Sequence, residues 1–245
     1  MKRLLLAVTA LAILVACDDS PTDPATASGA MTITFDDGWL SAYTRAFPIL
    51  QANGLQANVG VVTNHVDGNL EGFMTLPQLQ VLDQAGWSIV SHSVSHPHLT
   101  TITAEALEAE LTGSKSWIEA NGFNGSGVFI VPFHDFGDRE LAAIRQHYTA
   151  ARIANATFYV PERFESWRPT DPYGLTSIEA EFAPFTTEAG RALMEQQIAA
   201  VLADGKFVDI FFHDIGPQDV DAFQQTVAML AKFKDNIRPY HELFP

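Results

Sequence analysis

Short apolar runs alternate with amphipathic segments along the chain from Met31 onward. The apolar runs are rich in β-branched and aromatic residues and end in turn residues, which predicts strands, whereas the segments between them have the periodicity of helices. Strands are predicted at 31–35, 57–62, 87–90, 128–131, 150–153, 175–182 and 207–212. Helices are predicted at 40–52, 76–85, 104–120, 138–148, 188–202 and 220–233. This βα repetition predicts an α/β protein with a parallel sheet, either open or closed into a barrel.

The positions of the polar residues favour a barrel. Carboxylates, imidazoles and a proline–phenylalanine pair lie at or just past the C-terminal ends of predicted strands, at Asp36, Asp37, His92, His96, Pro132, Phe133 and His213. In a barrel those strand ends converge on one face. A doubly wound sheet would usually show a glycine-rich phosphate turn, which the sequence lacks. We therefore predict an incomplete (β/α) barrel of about seven parallel strands over residues 31–245, with a long functional loop at 155–173.

The N-terminal segment has the pattern of an export signal. Lys2 and Arg3 precede the apolar run 4–16, which is too short to span a bilayer as a mature helix but suits a signal peptide. Residues 14–17 resemble a bacterial lipobox, in which cleavage leaves Cys17 as the lipidated first residue. The alternative is an ordinary secretory signal that contains a cysteine. We predict a signal peptide at 1–17, a disordered tether at 18–30, and a cell-envelope protein that is lipid-anchored to a bacterial membrane and faces the periplasm or the exterior.

Composition and charge limit the kinds of partner that the chain can bind. The formal net charge is -15, which argues against binding nucleic acid or anionic lipid through a basic face. We therefore expect contact with the membrane only through the lipid anchor. Cys17 is the only cysteine, so no disulfide can form within the chain. We expect a monomer.

Two short stretches contain the residues with the clearest chemical potential. His92 and His96 follow an apolar run at a spacing that lets two imidazoles meet on one ion, although histidines at this spacing are also common as surface or capping residues. Asp36 and Asp37 lie side by side at the end of the first predicted strand and are followed by Gly38, a turn residue.

Together these stretches resemble the polysaccharide deacetylases, carbohydrate esterase family 4. The segment 34–38, Thr-Phe-Asp-Asp-Gly, is similar to the first family motif, and the segment 92–97, His-Ser-Val-Ser-His-Pro, is similar to the second. The segment 211–214, Phe-Phe-His-Asp, closes an apolar strand as the last family motif does. The resemblance spans nearly everything after the N-terminal segment and implies the same barrel fold.

The resemblance implies a metal site with Asp37, His92 and His96 as ligands. Two neutral imidazoles and one carboxylate suit Zn²⁺, with another divalent transition metal as an alternative, and leave a position for water or substrate. The resemblance also implies Asp36 as the general base and His213 as the general acid that protonates the leaving nitrogen.

The third family motif differs in this chain. That motif usually carries an arginine two residues before its proline, where it orients the base, but here Ile130 precedes Pro132. Arg152, in the next predicted strand, could supply the charge from a neighbouring position. The resemblance also implies that a backbone N–H near Phe133 stabilises the oxyanion.

These residues lead to a functional hypothesis. We expect a zinc-dependent hydrolase that removes acetyl groups from an N- or O-acetylated polysaccharide or oligosaccharide of the envelope. The alternatives are a hydrolase of small cyclic amides or formamides with the same fold, and a catalytically silent glycan-binding lipoprotein, which the missing arginine would favour. A glycosidase that uses Asp36 and Asp37 is disfavoured, because its two carboxyls must lie about 5 to 10 Å apart across the sugar.

Overall fold

The computed structural model describes residues 29–156, 159–181 and 186–245. Within these residues, parallel strands close into a seven-stranded barrel in chain order, because β1 pairs with both β2 and β7. The strands are β1 Ala30–Phe35, β2 Asn58–Val61, β3 Ser88–Ser91, β4 Gly125–Ile130, β5 Ala150–Asn155, β6 Leu175–Glu179 and β7 Phe207–Phe212. The predicted seven-stranded (β/α) barrel, one strand short of the common eight, is confirmed.

Most helices lie between strands along the chain, and the last two follow β7. The helices are α1 Phe47–Ala52, α2 Thr63–Asp67, α3 Leu76–Gln84, α4 Ala104–Ala120, α5 Asp138–His147, α6 Glu188–Ala203, α7 Val220–Leu230 and α8 Tyr240–Leu243. Thr103 caps α4, since its hydroxyl accepts a hydrogen bond from the Ala106 amide at 3.2 Å. The first predicted helix differs in part, because a π-helical segment, Ala42–Ala46, leads into α1.

The segment before α8 is extended but does not form a strand of the barrel. Ile237 forms only an isolated parallel bridge to Met31, and the chain then turns into α8 at Tyr240. Of the predicted loop at 155–173, the described residues include one short 3-10 turn, Pro161–Arg163.

Alternation along β1 separates an apolar layer from a polar interior. Ile33 and Phe35 are fully buried in the main apolar cluster, where the Phe35 ring stacks on Trp87 with centroids 5.6 Å apart. Burying a side chain of this size contributes roughly 1.5–3 kcal/mol to stability. Thr32 and Thr34 alternate with them and receive hydrogen bonds from the Asn58 side chain. The barrel interior is therefore hydrogen-bonded as well as packed.

The predicted signal peptide, the lipobox with Cys17 and the tether as far as residue 28 lie outside the described residues. Among the helices of the described residues, none has both the length and the apolar character needed to cross a membrane.

Candidate active site

The predicted ligands meet at one end of the barrel. Asp37 follows β1, and His92 and His96 lie in the turn that follows β3. Asp37 Oδ1 is 3.4 Å from His92 Nε2 and 3.2 Å from His96 Nε2, and the two Nε2 atoms are 3.0 Å apart. Asp37 and His96 both have a positive φ, which is uncommon outside glycine and lets each side chain turn back toward the cluster.

Hydrogen bonds fix the orientation of this cluster. His92 Nδ1 lies 2.9 Å from the Ile130 carbonyl oxygen, so Nδ1–H donates to that oxygen and Nε2 faces the cluster. Trp39 Nε1 donates to Asp37 Oδ2 at 3.0 Å, which leaves Oδ1 facing the imidazoles. Two imidazole nitrogens and a carboxylate oxygen converging at these distances fit a divalent cation, and zinc favours this donor set.

Asp36 lies beside the cluster as a buried, ionised carboxylate. Burial would raise the pKa of Asp36, but the positive charge of Arg152 and the nearby His92 and His213 outweigh it and lower that pKa. Arg152 donates from Nη2 to Asp36 Oδ2. Asp36 Oδ1 is buried and has no hydrogen-bond partner among the described residues, so this oxygen is free to accept a proton from a reacting water. Gly60 leaves room for it, because an added Cβ there would come within 3.4 Å of Oδ1.

Arg152 is the residue that pairs with Asp36 in this structure. It lies on β5, is fully buried, and donates from Nη1 to Ser177 Oγ at 3.2 Å. Its guanidinium lies over the Phe211 ring, 4.4 Å from the centroid. Arg152 Nε lies 3.5 Å from Asp209 Oδ2. Burial raises the pKa of Asp209 to about 7 even though Arg152 opposes that shift.

His213 lies just past β7 and pairs with acidic residues from the end of β6. Its Nδ1 is 3.2 Å from Glu181 Oε1 and 3.6 Å from Glu179 Oε1. Burial alone would lower the pKa of His213, but the hydrogen bond to Glu181 and the charges of Asp36, Glu181 and Asp37 outweigh it and raise that pKa to about 9. The imidazole is therefore protonated at neutral pH, as a general acid must be.

Phe133 lies at the mouth of the site. Its φ is 56°, and the residue is 53% exposed. The ring packs edge-on against His96, with centroids 4.4 Å apart, and stacks on His98, with centroids 4.0 Å apart. The neighbouring His134 is neutral at pH 7, because burial and then the charge of Arg152 lower its pKa to about 4.

A single cleft collects these side chains. It has a volume of about 210 Å³ and is lined by Asp36, Asp37, His92, His96, Val131, Phe133, His134, Asn155, Glu179, Phe211 and His213. All predicted site residues within the described part of the chain therefore line this cleft, except Arg152, which contacts Asp36 from the barrel interior. Cys17, the predicted lipidation site, lies outside the described residues.

Comparison with known sequences identifies the family. The sequence model of the polysaccharide deacetylases matches residues 23–151, just over half of the chain. The chain belongs to the polysaccharide deacetylase family. YxkH of Bacillus subtilis (strain 168), a protein named for polysaccharide deacetylase activity, is 26% identical over 111 residues. That alignment covers 45% of this chain and only 39% of YxkH.

Solved structures of carbohydrate esterases have the same fold as this chain. A family 4 carbohydrate esterase from Streptomyces lividans, solved in complex with acetate, has a TM-score of 0.58 at 17% identity over 86% of this chain and 91% of that one. The Xyl-CE4 domain of a multidomain xylanase from the hindgut metagenome of Trinervitermes trinervoides has a TM-score of 0.60 at 19% identity over 88% of this chain and 90% of that one.

The family match covers the residues of this site unevenly. Asp36, Asp37 and both cluster histidines lie inside the matched segment, whereas Arg152 and His213 lie beyond it. Their place in the site rests on the geometry described above. Sequence reasoning missed Glu181 and Asp209. Glu181 lies near the end of a predicted strand and could have been noticed there, but Asp209 is a single charge within an apolar strand.

Proposed function

We propose that this chain is a metal-dependent hydrolase that removes acetyl groups from an N- or O-acetylated glycan of the cell envelope. The observation that carries the proposal is the common cleft, in which the Asp37, His92 and His96 cluster adjoins an ionised carboxylate, Asp36, and a protonated imidazole, His213. Family membership supports the same reaction class.

Asp37, His92 and His96 would hold the metal, which we propose to be Zn²⁺ or another divalent transition metal. Such an ion, when bound, lowers the pKa of water and polarises a carbonyl. Asp36 is placed to take a proton at Oδ1, since Arg152 occupies Oδ2. The pair with Arg152 keeps Asp36 ionised and oriented before the water is activated.

His213 is placed to donate a proton to the leaving group. An amide nitrogen must be protonated as it leaves, because an amine anion is a very poor leaving group. Glu181 holds His213 in the charged form and fixes its ring through Nδ1. We also propose that a backbone N–H near Phe133 stabilises the oxyanion, since Phe133 borders the cleft beside His96.

The test is acetate release from a panel of N- and O-acetylated glycans, measured with and without a chelator. We expect release from at least one glycan, loss with chelator and recovery when zinc is added back. Small formamides and cyclic amides belong in the same panel. If only these small amides are hydrolysed, the substrate is a small amide and not a glycan. The missing motif arginine motivates the silent glycan-binding alternative, and the pairing of Arg152 with Asp36 counts against it. Retained glycan binding without acetate release from any member of the panel would favour that alternative.

We further propose that the protein is lipid-anchored in the bacterial envelope through Cys17. The residues that support this are the basic start, the apolar run 4–16 and the lipobox-like residues 14–17. Cys17→Ser should yield an unprocessed precursor, whereas the unchanged protein should partition with membranes, since two or more acyl chains anchor stably. A mature protein that begins at another residue would contradict this location.

A further inference from the structure

Part of the barrel interior lies behind the proposed catalytic groups and has no role in the mechanism above. Arg152 donates to the base through Nη2, whereas its Nε lies 3.5 Å from Oδ2 of Asp209, a second carboxylate. This contact is an ion pair and not a hydrogen bond, and Nε has no hydrogen-bond partner among the described residues. Arg152 and Asp209 are both fully buried. A buried charge costs several kcal/mol unless it is paired and hydrogen-bonded, so a carboxylate at this depth needs a structural reason.

Two side-chain hydroxyls donate hydrogen bonds to Asp209. Thr34 Oγ1 donates to Asp209 Oδ1 at 2.8 Å, and the Tyr240 hydroxyl donates to Asp209 Oδ2 at 3.1 Å. The direction of the Thr34 bond is set by Asn58, because Asn58 Nδ2 donates to Thr34 Oγ1 at 3.1 Å and leaves the threonine proton for Asp209. In both hydrogen bonds Asp209 is the acceptor, and its Oδ2 also lies 3.5 Å from Arg152 Nε.

This arrangement links the C-terminal helix to the base. The Tyr240 amide donates to Asn58 Oδ1 at 2.7 Å, and the Tyr240 hydroxyl holds Asp209, which faces Arg152. Arg152 in turn donates to Asp36 through Nη2. Because a guanidinium is planar, fixing Nε also fixes the direction of Nη2.

We propose that Asp209 is a positioning residue for the base: its carboxylate attracts the Nε side of the Arg152 guanidinium, 3.5 Å away, so that Nη2 remains aimed at Asp36. This inference rests on the proposed function for its effect on turnover, whereas the Asp209–Arg152 contact itself can be tested without any activity.

The decisive variant is Asp209→Asn. Asparagine has the same shape but must direct its NH₂ group toward either Thr34 or the Tyr240 and Arg152 side, where donors already lie. We expect kcat to fall about tenfold with KM changed by less than about twofold and with metal content unchanged, since an orienting contact acts on the chemical step. The matched control is Ser88→Ala, a fully buried strand residue whose hydroxyl bonds to His241 Nδ1 at 2.7 Å, and it should retain its kcat.

A double-mutant cycle separates positioning from general stability. In an Arg152→Met background, Asp209→Asn should cause no further fall in kcat, because the residue through which it acts is gone. A full tenfold fall in both backgrounds would overturn the proposal. If Asp209→Asn does not fold, Tyr240→Phe removes only one hydroxyl and should lower kcat roughly two- to threefold in the wild-type background alone.

The contact itself is read from the Arg152 Nε–H resonance in a ¹H–¹⁵N spectrum, assigned by its loss in Arg152→Met. We expect Asp209→Asn, and to a smaller extent Tyr240→Phe, to shift this resonance and speed its exchange with solvent, whereas Ser88→Ala leaves it in place. An unmoved resonance in Asp209→Asn would overturn the contact. If Asp209→Asn shifts the resonance but the unchanged protein releases no acetate, the Asp209–Arg152 contact stands and the proposed function fails.

Discussion

The residues that could hold the metal and the residues that could move protons line the same cleft but are assembled differently. Asp37, His92 and His96 come from two short motifs at the ends of β1 and β3. We call Asp37, His92 and His96 the metal side of the site, and Asp36 and His213 with their partners the proton-transfer side. The proton-transfer side depends on partners distant in sequence, since Asp36 pairs with Arg152 across 116 positions and His213 pairs with Glu181 across 32. Only the metal side lies wholly inside the segment that matches the family.

This difference shows which parts of the site can change without loss of geometry. The metal side depends on backbone conformation close to each ligand, such as the positive φ of Asp37 and His96, so each ligand is tied to its own motif. A charge partner needs only to reach its carboxylate. In this chain Ile130 takes the place of the motif arginine, and Arg152 reaches Asp36 from the adjacent strand. Neighbouring strands of a barrel can therefore exchange such a role.

The metal side should fail completely when its ligands are removed. In the variant with both His92→Ala and His96→Ala, only one ligand of the set remains, so we expect loss of bound metal and of all measurable activity. Metal content by elemental analysis is the direct measurement. The control is His98→Ala, because His98 is more than half exposed and stacks on Phe133, and it should keep the metal. Full occupancy in the double variant would refute the ligand assignment.

Asp36→Asn tests whether the two sides can be separated. The amide cannot accept the proton from water, so turnover should fall about 10²- to 10⁴-fold, while the ligands and the bound metal remain. Metal analysis and acetate release on the same sample check both halves. Loss of metal together with activity would place Asp36 in the metal side of the site.

His213→Ala tests the donor through the choice of substrate. Without His213 an amide leaving group lacks its proton, so amide hydrolysis should fall by about 10²-fold or more. An activated ester, whose leaving group needs no proton, should lose far less. Parallel assays with an N-acetyl glycan and an aryl acetate provide the comparison. Equal losses on both would argue against His213 as the proton donor.

The metal side of the site could be predicted from the sequence, whereas the partners on the proton-transfer side could not. The barrel and its seven strands were predictable because β7, for example, is nearly all apolar and is buried along its whole length. The cleft was predictable because strand ends converge on one face of a barrel. The partners of Asp36 and His213 depend on which side chains meet across the interior. Asp209 was hidden in its apolar strand, and the contact of Glu181 with His213 requires the pairing of β6 with β7.

Arg152→Met tests whether Arg152 takes the role of the arginine that the third family motif usually carries. Arg152 lowers the pKa of Asp36, so its loss should raise that pKa and move the acidic limb of the rate profile to higher pH. Turnover should fall about ten- to a hundredfold, the scale of one orienting charge. Circular dichroism should accompany the rate profile, because removing one partner of a buried pair costs about 3–5 kcal/mol of stability. Arg139→Met, which removes a partly exposed arginine that pairs with Glu140, is the control and should leave the limb in place.

The smallest effect on turnover is expected for Glu181→Gln. This variant tests which carboxylate keeps His213 protonated. The pKa of His213 is raised to about 9, so the protonated acid and the stability it adds persist at neutral pH and are lost as pH rises through about 9. Glu181→Gln removes the hydrogen-bonded charge, so the alkaline limb should move to lower pH by about one unit, with little change in rate near pH 6. Glu179→Gln is the matched control. Its contact with His213 is longer, 3.6 Å against 3.2 Å, so its limb should move less. An alkaline limb that moves equally in both variants would mean that the two carboxylates share the role of holding His213 charged, and an unmoved limb would assign that role to neither.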